Sequence, residues 1–201
     1  MHPLTSIDPR EAVLIVGPSK RKSRGGRLGA PARAGWSPDL LRAREDVLAR
    51  AKVEQPLLLP AWRRYDGTFY RAARETLAEA ADNGRLIVLS GGYGLLRADE
   101  PIAYYDRKLK LRDWPDGVLE RALNDKVRAI GAKRVVSFVS ASADYAKLVR
   151  RTAWEVQATL VTMEFHGGGA QIEVPRRLAR AFTAFWAGGD FPPGTVVEEL
   201  S

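Results

Sequence analysis

The chain has 201 residues, enough for one sizeable domain with a real core, and its 45% hydrophobic and 28% charged content is ordinary for a soluble globular protein. The absence of cysteine and the presence of only two histidines exclude disulfides and thiolate metal sites and give no reason to expect a His-rich metal centre. A formal charge of +8 points to a polyanion as partner, while no apolar leader and no run of membrane-spanning length is visible, so the reading is a cytoplasmic protein with no membrane partner.

Residues 1–10 read as a loose lead-in. Glu11–Val16 is β-rich and stops at Gly17-Pro18, which predicts a first strand delivering Ser19, Lys20, Arg21 and Lys22 to the end of a sheet. The Gly and Lys spacing there does not make a Walker A loop. Six basic residues and no acidic ones lie between Lys20 and Arg33, so residues 20–37 form a basic Gly/Arg-rich loop able to order on a phosphate backbone. Ser37-Pro38 then has the chemistry of a helix start, and the helix runs to about Lys52. Gln55–Trp62 reads as an extended, Pro-bounded segment. Asp66-Gly67 opens a long helix through Ala81, stopped by Asn83-Gly84.

Leu86–Leu89 predicts a second strand, ending abruptly in Ser90-Gly91-Gly92. Pro115–Ile130 reads as a helix, Arg134–Val139 as strand three, Ser140–Arg151 as a helix, Val156–Phe165 as strand four and Pro175–Trp186 as the last helix. Residues 188–201 read as a peripheral acidic tail. Four strands separated by helices predict an α/β domain over residues 1–187: three layers, with a central four-stranded, mostly parallel sheet flanked by helices. A monomer is expected.

In such sheets ligands bind beyond the carboxyl ends of the strands. Four loops should therefore meet there, at 17–22, 90–97, 140–145 and 166–171. The catalytic candidates are Asp106, then Glu100, as a carboxylate, and His166 as a proton donor. Gly91, Gly92, Tyr93, Tyr105, Ser142, Gly167 and Gly168 are candidates for a base pocket, the tyrosines by stacking and the glycines by close backbone approach. Ser19, Lys20, Arg21, Lys22, Arg24, Arg107 and Lys108 are candidates for phosphate contacts. Each also has a structural reading: a turn at Asp99-Glu100-Pro101, a solvated ion pair for Asp106, hydrogen-bonded core tyrosines, and a structural histidine. No cofactor and no metal is called for.

Four fragments of the chain resemble the YaaA family of peroxide-stress proteins and related bacterial domains. LIVGPSK, through Pro18, Ser19 and Lys20, is similar to the family's strand-to-SPAK loop. RYDGTFY, through Tyr65, Gly67 and Tyr70, is similar to its Tyr/Phe-x-Gly-x-x-Tyr segment. LSGGYGLLRADEPIAYYDRKL resembles its LSGLYGLL stretch and the segment after it, through Ser90, Gly91, Tyr93, Gly94, Leu95, Leu96, Asp99, Ile102 and Tyr105; Asp106 stands where many members carry arginine. SASADY, through Ser142 and Tyr145, is similar to an A-S-x-x-Y element. The fragments span most of residues 13–150, and the resemblance implies DNA binding. A looser likeness, at the level of fold, is to the uracil-DNA glycosylase superfamily, with a polar loop after the first strand and a His loop after the last. GGYG is similar to part of the PGGxGTxxE motif of nucleotide phosphoribohydrolases, with Leu95 in place of Thr.

Together these readings lead to a DNA glycosylase that flips a modified or damaged base out of double-stranded DNA and hydrolyses its N-glycosidic bond. The alternatives are a non-enzymatic DNA-binding stress protein and a nucleotide N-glycosidase of small-molecule metabolism.

Overall fold

The computed structural model describes residues 4, 7–30, 35–141 and 143–200. Its first strand, β1 (Val13–Val16), is buried on both faces: Leu14 and Val16 join one apolar cluster, Val13 and Ile15 the other. After the two-residue β2 (Arg27–Leu28) comes α1 (Pro38–Ala49), started as its sequence predicts: Leu40 N donates to Ser37 Oγ at 3.3 Å, with Pro38 in the first turn. The helix stops short of Lys52 because Lys52 already begins β3 (Lys52–Pro60).

α2 (Ala61–Arg64) is a single turn. The long helix expected from Gly67 to Ala81 is divided at Ala73 into α3 (Thr68–Ala72) and α4 (Arg74–Asp82). Ala73 N still donates to Phe69 O at 3.0 Å and Leu77 N to Ala73 O at 2.8 Å, so the division is a bend and not a new start. Next come β4 (Leu86–Ser90), β5 (Gly94–Arg97), β6 (Pro101–Asp106) and α5 (Val118–Ile130). The chain ends with β7 (Arg134–Phe138), α6 (Asp144–Arg151), β8 (Gln157–Met163), α7 (Ala170–Ala187) and β9 (Thr195–Leu200).

The main sheet is mixed and six-stranded, in the order β5-β4-β1-β7-β8-β9. The four strands legible in the sequence occupy its middle, and their three pairings are parallel. Both antiparallel edges correct the expectation. Gly94, at φ 71°, lets the chain fold back from β4, so Gly94–Arg97 forms a hairpin strand in place of the expected loop. The acidic tail is β9, six residues paired along β8. A second sheet, β2-β3-β6, contains the predicted extended segment.

Helices α3, α4 and α7 cover one face of the main sheet, and α1, α5 and α6 the other. α7 begins five residues earlier than Pro175 suggested. Gly169 at φ 78° sets its start, its carbonyl accepting from Ile172 N and Glu173 N, and the helix runs on through the proline.

The strand order decides where a ligand can sit. From β1 the chain moves to one side to form β4, then returns past β1 to form β7 on the other side. The order reverses between β1 and β7, and the loops leaving their carboxyl ends must splay apart there.

Candidate functional site

A cavity of about 470 Å³ opens at that reversal. The loop after β1 contributes Pro18, Ser19, Lys20 and Lys22; the end of β6 and its continuation contribute Tyr105 to Lys110; the start of α6 contributes Ala143, Asp144 and Tyr145. Five cationic side chains thus face two carboxylates, Asp106 and Asp144.

Its walls are tied together by hydrogen bonds between distant segments. Tyr70 OH donates to Gly17 O at 2.8 Å, and Gly67 N donates to Ser19 Oγ at 3.0 Å. The Tyr105 hydroxyl lies 2.6 Å from that of Tyr65 and 2.8 Å from Ser90 Oγ, which also accepts from Tyr93 N. Leu109 N donates to Tyr145 OH at 3.3 Å, and Leu111 N to Asp144 at 3.0 Å. PSK and Tyr145 therefore line the space, while RYDGTFY and LSGGYG brace it from behind through Tyr65, Gly67, Tyr70 and Ser90. Burial keeps the Tyr65, Tyr70, Tyr93, Tyr105 and Tyr145 hydroxyls protonated well into the alkaline range.

No protein-family model and no curated protein matches the chain.

Lys22 holds a distinctive place on the wall. Its ammonium lies 4.5 Å from the centre of the Tyr105 ring and 5.7 Å from that of Tyr65. Its hydrogen-bond acceptor is a backbone carbonyl, Lys20 O at 3.4 Å. Burial, with the nearby Arg64 cation, lowers its pKa below the ordinary 10.5, and Asp106 opposes that shift. Arg64 itself is fully buried and donates only to carbonyls: Ser23 O, Gly25 O, Leu57 O and Ile102 O. It fastens the basic loop to β3 and β6, and nothing in the sequence signals it beyond its place in RYDG.

Of the catalytic candidates, Asp106 lines the cavity at the end of β6. Glu100 does not. It is 2% exposed, pairs with Arg44 at 2.7 Å and accepts from Trp36 Nε1 at 2.7 Å and Arg97 N at 3.2 Å. His166 does not line it either: it is exposed after β8, one strand beyond the crevice, with no hydrogen bond or ion pair to any described residue.

Among the pocket candidates only Tyr105 lines the cavity, and Ser142 lies outside the described residues. Tyr93 is buried, accepting from Ala103 N at 3.1 Å and packing edge-on against Tyr105. Gly91 and Gly92 admit protein and not ligand. A Cβ on Gly91 would lie 2.2 Å from Arg107 O, and one on Gly92 2.8 Å from the Tyr105 ring. Gly167 and Gly168 are exposed with His166.

Of the phosphate candidates, Ser19, Lys20, Lys22, Arg107 and Lys108 line the cavity. Arg107 also pairs with Asp113 at 2.7 Å. Arg21 pairs with Asp66 at 3.1 Å, and Arg24 lies over the Tyr104 ring at 5.3 Å, both outside the lining. Lys110, Asp144 and Tyr145 complete the lining; Asp144, at the first position of α6, carried a helix-start signal but no functional one.

Proposed function

We propose that the chain binds double-stranded DNA and hydrolyses the N-glycosidic bond of a modified or damaged base extruded into the cavity. The observation that carries this reading is the Asp106 carboxylate within a ring of cations at the strand-order reversal. A space of about 470 Å³ suits a small-molecule-sized group such as one nucleotide. Lys20, Lys108 and Lys110 supply phosphate contacts.

Six residues after Lys22, the Arg27-Leu28 strand carries a leucine that is 79% exposed within the basic loop. A duplex reached by this loop meets cations first and an apolar point next, the pair of features that opens a base step. The resemblance of the sequence fragments to YaaA proteins supports the same substrate class.

In the reaction the C1′–N bond breaks towards an oxocarbenium-like sugar, whose positive charge Asp106 stabilises. Water adds its oxygen to C1′ and gives a proton to Asp106. The departing base takes its proton from the Lys22 ammonium, which replaces His166 in that role.

The test uses duplexes carrying different modified bases, with abasic sites as the readout. Wild type should generate abasic sites in at least one, and Asp106→Asn should lower the rate about 100-fold or more while DNA retention persists. Salt-sensitive retention on every duplex without abasic sites would leave only a DNA binder. Activity on free nucleotides with weak, salt-insensitive DNA retention would favour a nucleotide N-glycosidase.

A further inference from the structure

We propose that Lys22 is a nucleophilic amine that forms an imine with the aldehydic C1′ of an abasic deoxyribose in DNA, making the protein an abasic-site lyase. The inference rests on the glycosylase reading for its substrate class, but its chemistry starts from an abasic site and does not need the base-removal step.

Three features single out Lys22 from the other cationic residues at the cavity. Its Nζ lies over the rings of Tyr105 and Tyr65, which hold the nitrogen in place on the cavity wall and take the place of water on that side, burial outweighing their attraction for the charged form. Its acceptor is the Lys20 carbonyl, and it makes no ion pair with a described residue that would have to break before the nitrogen lone pair becomes available. Asp106, the carboxylate at the end of β6, is close enough to act on it electrostatically. Lys20, Lys108 and Lys110 are exposed, where an ammonium keeps its hydration.

The chemistry balances without an oxidant or reductant. The neutral Lys22 amine attacks the open-chain C1′ aldehyde, the new C–N bond forms, and the aldehyde oxygen leaves as water. One proton taken from solvent leaves the imine protonated until hydrolysis returns it. The protonated imine acidifies the C2′ hydrogen, which Asp106 accepts. The C3′–O3′ bond then breaks, and the 3′ phosphate leaves with the bonding electrons. Water hydrolyses the resulting unsaturated imine and returns the free amine.

The charged and titratable groups facing Lys22 are Arg64 of α2, Tyr65 after it, Tyr105 and Asp106 of β6, and Lys20 on its own loop. Burial and Arg64 favour the neutral amine, and Asp106 and the faces of the two tyrosine rings favour the ammonium. Imine formation should therefore accelerate with pH and level off below the ordinary lysine value of 10.5.

The experiment incubates the full chain with a duplex carrying one preformed abasic site, in the presence of borohydride to reduce the C=N bond. The expected result is a covalent protein–DNA adduct whose peptide map assigns the modification to residue 22, and, without borohydride, strand cleavage 3′ to the site. Lys22→Arg should retain the abasic duplex yet lose at least 100-fold in adduct. The proposal is overturned if wild type retains the duplex with no adduct, or if the adduct maps to Lys20 or to the terminal amine. Base release without trapping would sink the lyase and spare the glycosylase; trapping at Lys22 with no base release from any modified duplex would do the reverse.

Discussion

Two glycines that look alike in sequence differ sharply in their surroundings. Gly91 has the backbone of residues 107–109 pressed against it, with Arg107 O 2.2 Å and Lys108 C 2.5 Å from the position of an added Cβ. Gly168 has no atom within 4 Å of that position. Gly91→Ala must push the cavity wall at Arg107–Leu109 outwards and should cost about 1–3 kcal/mol, as overpacking does. Gly168→Ala should be nearly neutral. Urea unfolding of the two variants checks the difference, and equal stabilities would remove Gly91 from the support of the cavity. A run of glycines permits a close approach; it does not say whether a ligand, the chain's own backbone or, as at Gly168, nothing in the chain makes it.

At the scale of elements, Arg44 fixes α1 to the β4–β5 hairpin through two carbonyls and to the turn before β6 through a buried ion pair. Arg44 donates to Glu100 at 2.7 Å and to the carbonyls of Tyr93 at 3.0 Å and Leu95 at 2.7 Å. Glu100→Gln leaves the guanidinium buried without its counter-charge and should destabilise the protein by about 3–5 kcal/mol. Adding Arg44→Met should recover part of that loss, because no lone charge then remains inside. A double-mutant cycle of chemical unfolding measures both.

Glu100 also shows why its element was hard to read. Asp99-Glu100-Pro101 carries turn chemistry, and a carboxylate in a turn is normally solvated; what buries it comes from Trp36 and Arg44, more than fifty residues away. The four parallel strands were legible because each is a short apolar run bounded by Gly, Pro or charge. β5 was hidden by Gly94 and β9 by its glutamates, both edge-strand features that weaken the β pattern. Lys20 was legible as a candidate because it follows the first predicted strand; Asp106 stood out only as one of several carboxylates after Ser90-Gly91-Gly92, and the strand that it ends, β6, was not foreseen. His166 follows a predicted strand too, but local sequence does not say which strand stands next to the crevice.

For the molecule as a whole, its buried phenols govern alkaline behaviour. Tyr65, Tyr70, Tyr93, Tyr105 and Tyr145 all titrate above the ordinary value of 10 because burial disfavours the phenolate. The unfolded chain gives up these protons near pH 10 while the folded chain keeps them. The stabilisation is therefore fully present below pH 10 and is lost as pH rises towards the folded values, at about 1.4 kcal/mol per pH unit for each group in that window. Lys22 and Lys126, lowered by burial, act in the opposite sense but are outnumbered. Unfolding midpoints should drop steeply above pH 10, with most of the phenolate absorbance appearing together with loss of structure; early absorbance beyond that of the half-buried Tyr104, in an intact fold, would contradict the burial.

The crevice at the strand-order reversal joins three parts of the chain, residues 18–22, 105–110 and 143–145, that are remote in sequence. Whatever fills it touches all three at once and so acts as a removable staple. Each tenfold excess of ligand over its dissociation constant adds about 1.4 kcal/mol against unfolding, and empty molecules are correspondingly easier prey for proteases.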